Sequence, residues 1–245
     1  SDATARSSCG PLAEMLGDDL LTVLGDAVPR ARVAQALADD YIPRIASGRV
    51  IDLGCGAGDS VDQFRSVNQA VDWVGVDIER SPEVEARRRT DAQFVTFDGK
   101  HLPFGDSAID AVYCKQVLEH VRAPEPLLAE VGRVLRPGGL LAGSTSQLEP
   151  FHSYSTWNYT PYGLKLLLES GGLELVEVRP SIDGLALIVN RGLGMRRFTR
   201  RWWAVESPLN RVVDGFGRVR RLDPAHVNAI KLLLCGQFAF LARRA

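Results

Sequence analysis

The chain has 245 residues, a formal net charge of −1, 45% apolar and 24% charged residues, a composition ordinary for a soluble globular protein that can bury a sizeable core. The four cysteines, Cys9, Cys55, Cys114 and Cys235, form no CxxC pair. That pattern suggests neither a zinc site nor a disulfide framework and predicts reduced thiols in a cytoplasmic protein without a metal. No apolar run approaches the ~20 residues of a membrane span, and SDATARSSCGPLAEML lacks the apolar segment of a signal peptide.

Residues 1–46 read as a polar tail followed by helices, with helical spacing of apolar residues over Leu12–Leu24 and Ala31–Ile45 and a break at Pro29. Strands and helices then alternate. RVIDLG predicts a first strand, followed by a glycine loop and a helix near Ser60–Ser66. Further strands are predicted at 72–78, 93–98, 109–116, 139–146 and 173–180, with a last one at 237–244. Helices are predicted at 125–136, stopped by Pro137-Gly138-Gly139, and at 160–172, with Pro161 in its first turn. Such alternation predicts an α/β fold with a mostly parallel sheet covered by helices on both faces. The core is expected over 47–180 plus 237–245. Residues 181–236 are too long for a simple connection, and they read as a helical insertion beside the sheet.

The segment VIDLGCGAGDS, Val50 to Ser60, carries the strongest chemical signal. A strand ending in Gly54-x-Gly56-x-Gly58 must turn sharply into a helix, and glycines allow unusual dihedrals and close approach of a ligand. Asp77, nineteen positions after Gly58, closes the second strand, where an acid can accept from ribose hydroxyls. A dinucleotide fingerprint requires a glycine at position 59, which is Asp59. Acids at 52 and 59 suit a ligand with a cation and no phosphate, such as S-adenosylmethionine, better than a nicotinamide or flavin cofactor.

Four segments in order, VIDLGCGAGDS, VGVDIER (74–80), FVTFDGKHLPFGDSAIDAVYCKQVLEHV (94–121) and VLRPGGLL (134–141), resemble the motifs of class I S-adenosylmethionine-dependent methyltransferases, in particular the small-molecule, type 11-like enzymes. The resemblance spans roughly residues 45–180 and the last strand. It implies a Rossmann-like sheet with an antiparallel last strand and S-adenosyl-L-methionine as cofactor. It further implies that Asp52 holds the methionine ammonium and that Gly54, Cys55 and Gly56 pack on the methionine part. Asp77 would bind the ribose, Ile78 the adenine face, Asp98 the adenine amino group and Gly99 the ring. Lys115 would offer its backbone carbonyl to the ammonium. Asp98 has a second reading as the cap of its own turn, and Ile78 as plain core.

Acceptor-facing residues are expected in QLEPFHSYSTWNYTPYG after the fifth strand, where aromatics and an imidazole suit a substrate pocket. His152 is the first candidate base and His120 the second; Glu149, Phe151, Tyr154, Trp157 and Tyr159 are candidate acceptor contacts. The (N/D)PP(Y/F) motif of nucleobase and amide methyltransferases is replaced by CKQV, and no nucleic-acid partner is expected. Between Arg191 and Arg221 nine arginines face two acids. Arginine suits phosphate and carboxylate recognition, and Trp202 and Trp203 suit a membrane surface; the alternative is a solvated helical face. The expected activity is O-methylation of a sugar, glycan or secondary metabolite, with an acceptor that is anionic or lipid-linked. The rivals are C-methylation of a quinone or lipid, and a catalytically silent binding subunit.

Overall fold

The computed structural model describes Leu16 and residues 18–24, 34–150, 153–194, 197, 200–203 and 205–245. In chain order the elements are α1 (Asp18–Thr22), α2 (Ala34–Asp39), α3 (Ile42–Ile45), β1 (Arg49–Leu53), α4 (Ser60–Val67), β2 (Asp72–Asp77), α5 (Pro82–Ala86), β3 (Gln93–Thr96), β4 (Ile109–Lys115), α6 (Pro124–Val134), β5 (Leu135–Ser146), α7 (Pro161–Ser170), β6 (Leu173–Pro180), α8 (Gly184–Leu187), α9 (Pro208–Arg220), α10 (Pro224–Leu234) and β7 (Gln237–Arg244). The strands form one seven-stranded sheet in the order β3-β2-β1-β4-β5-β7-β6. All neighbouring pairs are parallel except those of β7, which runs antiparallel between β5 and β6. The strand order reverses between β1 and β4, and in open α/β sheets that switch point opens a crevice beyond the carboxyl ends of the strands.

Alternation along each strand sends side chains to two cores. Ile51, Leu53, Val112 and Cys114 face α6, α7 and α10. Val50, Ala111 and Tyr113 face the other way, among Leu37 of α2, Tyr41 just before α3, Ile45 of α3 and Phe64 of α4. Asp52 shares the parity of Val50 and therefore points toward α4. The face it occupies is apolar except for the few groups that meet it.

The expected strand–helix alternation is what the structure shows, with two differences. The Ala31–Ile45 periodicity is broken between Asp39 and Ile42, since Pro43 at the start of α3 supplies no amide hydrogen to a longer helix. The Pro137-Gly138-Gly139 stop lies inside β5 instead of before it. Leu135 is buried and already pairs with Ile109, and the register then shifts so that Ala111 meets Leu140. The proline and glycines are the irregularity between those two pairings.

At Gly143 the β4 and β5 backbones come too close for a side chain. A Cβ there would overlap the Cys114 carbonyl and stand 3.0 Å from the Phe240 ring. Gly143→Ala is expected to cost ~1–3 kcal/mol, the usual penalty of overpacking a core. A lowered urea midpoint with unchanged m-value is the readout.

Candidate active site

The glycine loop hangs between β1 and α4, and its conformation explains its composition. Gly54 has φ +71°, and a Cβ there would overlap Val117. Gly58 has φ +85°, with the Phe94 ring 2.7 Å from where its Cβ would stand. Left-handed backbone and side chains of this chain, not ligand contact alone, therefore demand glycine. The loop is pinned by its own amides: Gly54 and Cys55 donate to the Val76 carbonyl at 2.7 and 3.3 Å. The Gly56 N–H donates to Asp77 Oδ2 at 2.7 Å.

Asp52 is 5% exposed. Its carboxylate accepts from the Ser60 hydroxyl, which in turn accepts from Trp73 Nε1 at 3.1 Å. Burial pushes the Asp52 pKa up to about 7, with Asp77 and Asp39 adding to the rise, while the Ser60 bond and the nearby Lys115 oppose it. A buried carboxylate so short of positive charge fits an incoming ammonium. Asp77 closes β2 with Oδ1 accepting from the Ile78 N–H at 2.8 Å. Each of its oxygens keeps a further lone pair for a hydroxyl donor. Ile78 is half exposed, and its Cγ2 lies 3.9 Å from where a Cβ of Gly99 would stand. The ends of β2 and β3 thus make an apolar slot beside Asp77. The residues at the switch point fit an aminoacyl nucleoside: an acid for the ammonium, an acid for the ribose and a flat slot for the base.

Asp98 follows the other of its two readings in geometry. Its Oδ1 accepts from the Lys100 and His101 amides at 2.8 and 2.6 Å, and its Oδ2 meets His101 Nδ1 at 2.7 Å. Those bonds, His101 foremost, hold its pKa well below the usual carboxylate range. Lys115 ends β4, and its ammonium lies 3.0 Å from Asp39 Oδ1, which also accepts from the Tyr113 hydroxyl. Asp39 brings α2 to the cofactor edge, a link that periodicity in residues 31–45 does not reveal. Arg87 is a second residue without a sequence signal. Its guanidinium donates twice to the Gly56 carbonyl, at 2.8 and 2.6 Å, and stacks 3.9 Å from the Phe94 ring centroid.

One strand further along the same edge lies a buried polar cluster. Glu119 is fully buried and accepts from Thr145 Oγ1 at 3.1 Å and Ser146 Oγ at 3.5 Å. Ser146 Oγ also stands 2.6 Å from Glu149 Oε2, so one hydroxyl joins two carboxylates. Gln237, the first residue of β7, donates to Glu149 Oε2 at 2.6 Å and to Gln116 Oε1 at 2.8 Å. Its own Oε1 is buried with no hydrogen-bond partner. Gln116 has φ +56° just beyond β4. Arg191 reaches in from a π-helical turn, Ile188–Gly192, and pairs with Glu149. Burial, with Glu149 adding, pushes Glu119 up to about 7 against the pull of its hydrogen bonds.

The remaining expected acceptor contacts fall in different places. Glu149 points inward to this cluster, not outward from the loop. Tyr159 is buried in the core with its hydroxyl donating to the Leu118 carbonyl at 3.0 Å. Trp157 is half exposed and donates from Nε1 to the Val121 carbonyl at 2.9 Å, and Tyr154 is 89% exposed. His120 is half-buried in a 3-10 turn, Leu118–His120, with its amide on the Val117 carbonyl. Phe151 and His152 lie outside the described residues.

Comparison with known proteins agrees with this geometry. Residues 51–143 match the family model described as "Methyltransferase domain". A demethylmenaquinone methyltransferase of Renibacterium salmoninarum is 33% identical over 132 residues, 54% of each chain. A probable S-adenosylmethionine-dependent methyltransferase of Mycolicibacterium smegmatis is 30% identical over 160 residues, 59% of each chain. The chain thus spans little more than half the length of these relatives. Among solved structures, an S-adenosylmethionine-dependent methyltransferase of Mesorhizobium loti shares the fold at TM-score 0.55 and 18% identity, over 86% of this chain and 98% of that one. Over the matched stretch, residues 51–143, the ordered motifs and the acids at the switch point make the chain similar to S-adenosylmethionine-dependent methyltransferases.

Proposed function

We propose that the chain methylates a hydroxyl of a small molecule such as a sugar, a glycan or a secondary metabolite. The observation that carries this reading is the acceptor-rich polar cluster of Glu119, Ser146, Glu149 and Gln237 beside the cofactor edge. When bound, S-adenosylmethionine supplies an electrophilic methyl group on a sulfonium. The chain's own residues then have to hold and align. Asp52 and the Lys115 carbonyl take the ammonium, Asp77 takes the ribose, and Ile78 with Gly99 takes the base. Fixing donor and acceptor in line supplies much of the rate. The cluster itself is buried, and it sets the polarity of the floor beneath the edge where an acceptor hydroxyl would lie. His152 is the first candidate for the base and His120 the second. Arg191, at the start of the basic insertion, supports a lid over this edge and an acceptor that carries an anionic group.

The similarity to a demethylmenaquinone methyltransferase favours a second reading, carbon methylation of a quinone. Such an acceptor is mostly apolar, and it offers no donor to the polar groups that gather at this edge. A panel of hydroxylated sugars, polyketide alcohols and demethylated quinones, assayed for S-adenosylhomocysteine release, separates the two. Release is expected with hydroxylated acceptors; release with the quinones alone would replace this reading by the second.

A further inference from the structure

The helix α9 presents two unlike sides. Ser207 caps it, its hydroxyl accepting from the Asn210 N–H at 3.3 Å. Asn210, Val213 and Gly217 are buried, and a Cβ on Gly217 would stand 2.5 Å from Val227 of α10. On the other side Val212, Phe216 and Val219 are 67%, 52% and 83% exposed. At 3.6 residues per turn these three fall within about 60° of one another, about 125° around the helix from the centre of the buried face. They form a single apolar line along the helix, without a groove.

The charges beside that line have one sign. Arg211 and Arg218 lie on one flank and Arg220 on the other, all exposed, and Arg221 ends the helix in the left-handed conformation. The two acids between Arg191 and Arg221 do not offset them. Glu206 and Asp214 both turn inward to Lys231 of α10, Asp214 at 2.8 Å, and Lys231 is 4% exposed. The inner side of α9 has its ion pairs with α10, and the outer side is left apolar in the middle and cationic at both edges.

We propose that α9 is an interfacial helix that lies flat on an anionic lipid surface. Phe216, Val212 and Val219 enter the acyl boundary, and Arg211, Arg218 and Arg220 meet the headgroups on either flank. Apolar residues at helical spacing between flanking arginines are the pattern of a helix that lies in the membrane plane. Arginines beside an anionic lipid surface are drawn to it electrostatically. A nucleic acid would use the arginines and gain nothing from the apolar line. An acidic protein partner would need a wider surface than one line of three side chains. The expected tryptophan anchor at Trp202 and Trp203 is not needed. The proposal is independent of which acceptor is methylated.

The test is flotation of the full chain with phosphatidylcholine vesicles, with and without phosphatidylglycerol. Binding is expected only with phosphatidylglycerol, falling ~tenfold or more at high salt as screening shortens the reach of the arginines. Phe216→Trp should show a blue-shifted emission on binding. Phe216→Asp and Val219→Asp should each abolish flotation, and both positions are exposed enough to leave the fold and S-adenosylhomocysteine binding intact. Arg218→Glu should weaken binding ~tenfold, about 1.4 kcal/mol. Three results would overturn the proposal: no flotation with anionic vesicles, flotation that survives Phe216→Asp, or dimerisation in solution that Phe216→Asp removes while vesicle binding is absent.

Discussion

Calorimetry should find S-adenosylhomocysteine bound ~10²-fold or more weakly by Asp77→Ala than by the parent chain. The estimate rests on two charge-assisted hydrogen bonds to the ribose, each worth ~1.5–3 kcal/mol. The structure adds a second reason. Asp77 Oδ2 accepts from the Gly56 amide and Oδ1 from the Ile78 amide, so the alanine variant also releases the tip of the glycine loop. Asp77→Asn separates the two contributions. It keeps one acceptor for a loop amide but loses the charge, and its loss should be smaller than that of alanine. Unchanged binding in Asp77→Ala would mean that the ribose lies elsewhere and that the acid serves only the loop.

Asp52→Asn should bind the cofactor product ~10–100-fold more weakly, the value of one charge-assisted bond, and yet be the more stable apoprotein at alkaline pH. The sign follows from linkage. Burial pushes the Asp52 carboxyl up to about 7 in the folded chain from its ordinary 3.8, so the folded state holds a proton that the unfolded state has lost. Stability from this group is complete at acidic pH and is lost as pH rises from ~4 through ~7, by up to about 4 kcal/mol at 1.36 kcal/mol per pH unit. Asparagine cannot ionise, so its advantage should be negligible near pH 4 and largest near pH 8. Thermal melts across that range measure it. An ammonium beside Asp52 favours the ionised form, so ligand binding below neutral pH should release a proton. Calorimetry in buffers of differing ionisation enthalpy detects this. A variant that loses affinity without any pH-dependent gain in stability would place the ionisation at another residue.

The sheet was readable because its strands alternate with amphipathic helices and because runs without charge such as Trp73–Val76 are buried on both faces. Asp77 was readable because it ends β2, and Asp52 because it lies one residue before the end of β1, just ahead of the glycine loop. Past the strand ends that logic fails. Tyr159 and Tyr154 share one aromatic-rich loop, but one is core and the other is solvent-exposed. Composition carries no orientation when no period sets it. Glu119 sits one position before His120 in LEHV, and the histidine drew attention by its chemistry. Only the burial of Glu119 against Thr145 and Ser146 shows that the acid belongs to the polar cluster. Gln237 comes to that cluster from far along the chain, carried by β7 returning between β5 and β6, and Arg191 comes from the turn at 188–192. The reversal of β7 sets this contact, and no local pattern encodes it.

The insertion leaves the sheet at Pro180 and rejoins it at Gln237, and those ends are neighbours: Pro180 pairs with Phe238, and Ser181 donates to the Gln237 carbonyl. A short stem continues beyond, with Asp183 bridging Cys235 and the Gly236 amide on the Ile182 carbonyl. Because entry and exit are already held together, the closure entropy of what lies between grows only with the logarithm of its length, about 0.6 kcal/mol per doubling. The length of the segment ahead of α10 is therefore exchangeable at small entropic expense, whereas α10 must stay because Ala229 and Leu232 belong to the main core. A grafted segment of different length or charge on the same stem would leave the cofactor edge intact, and would alter what covers Glu149 and which surface the protein meets.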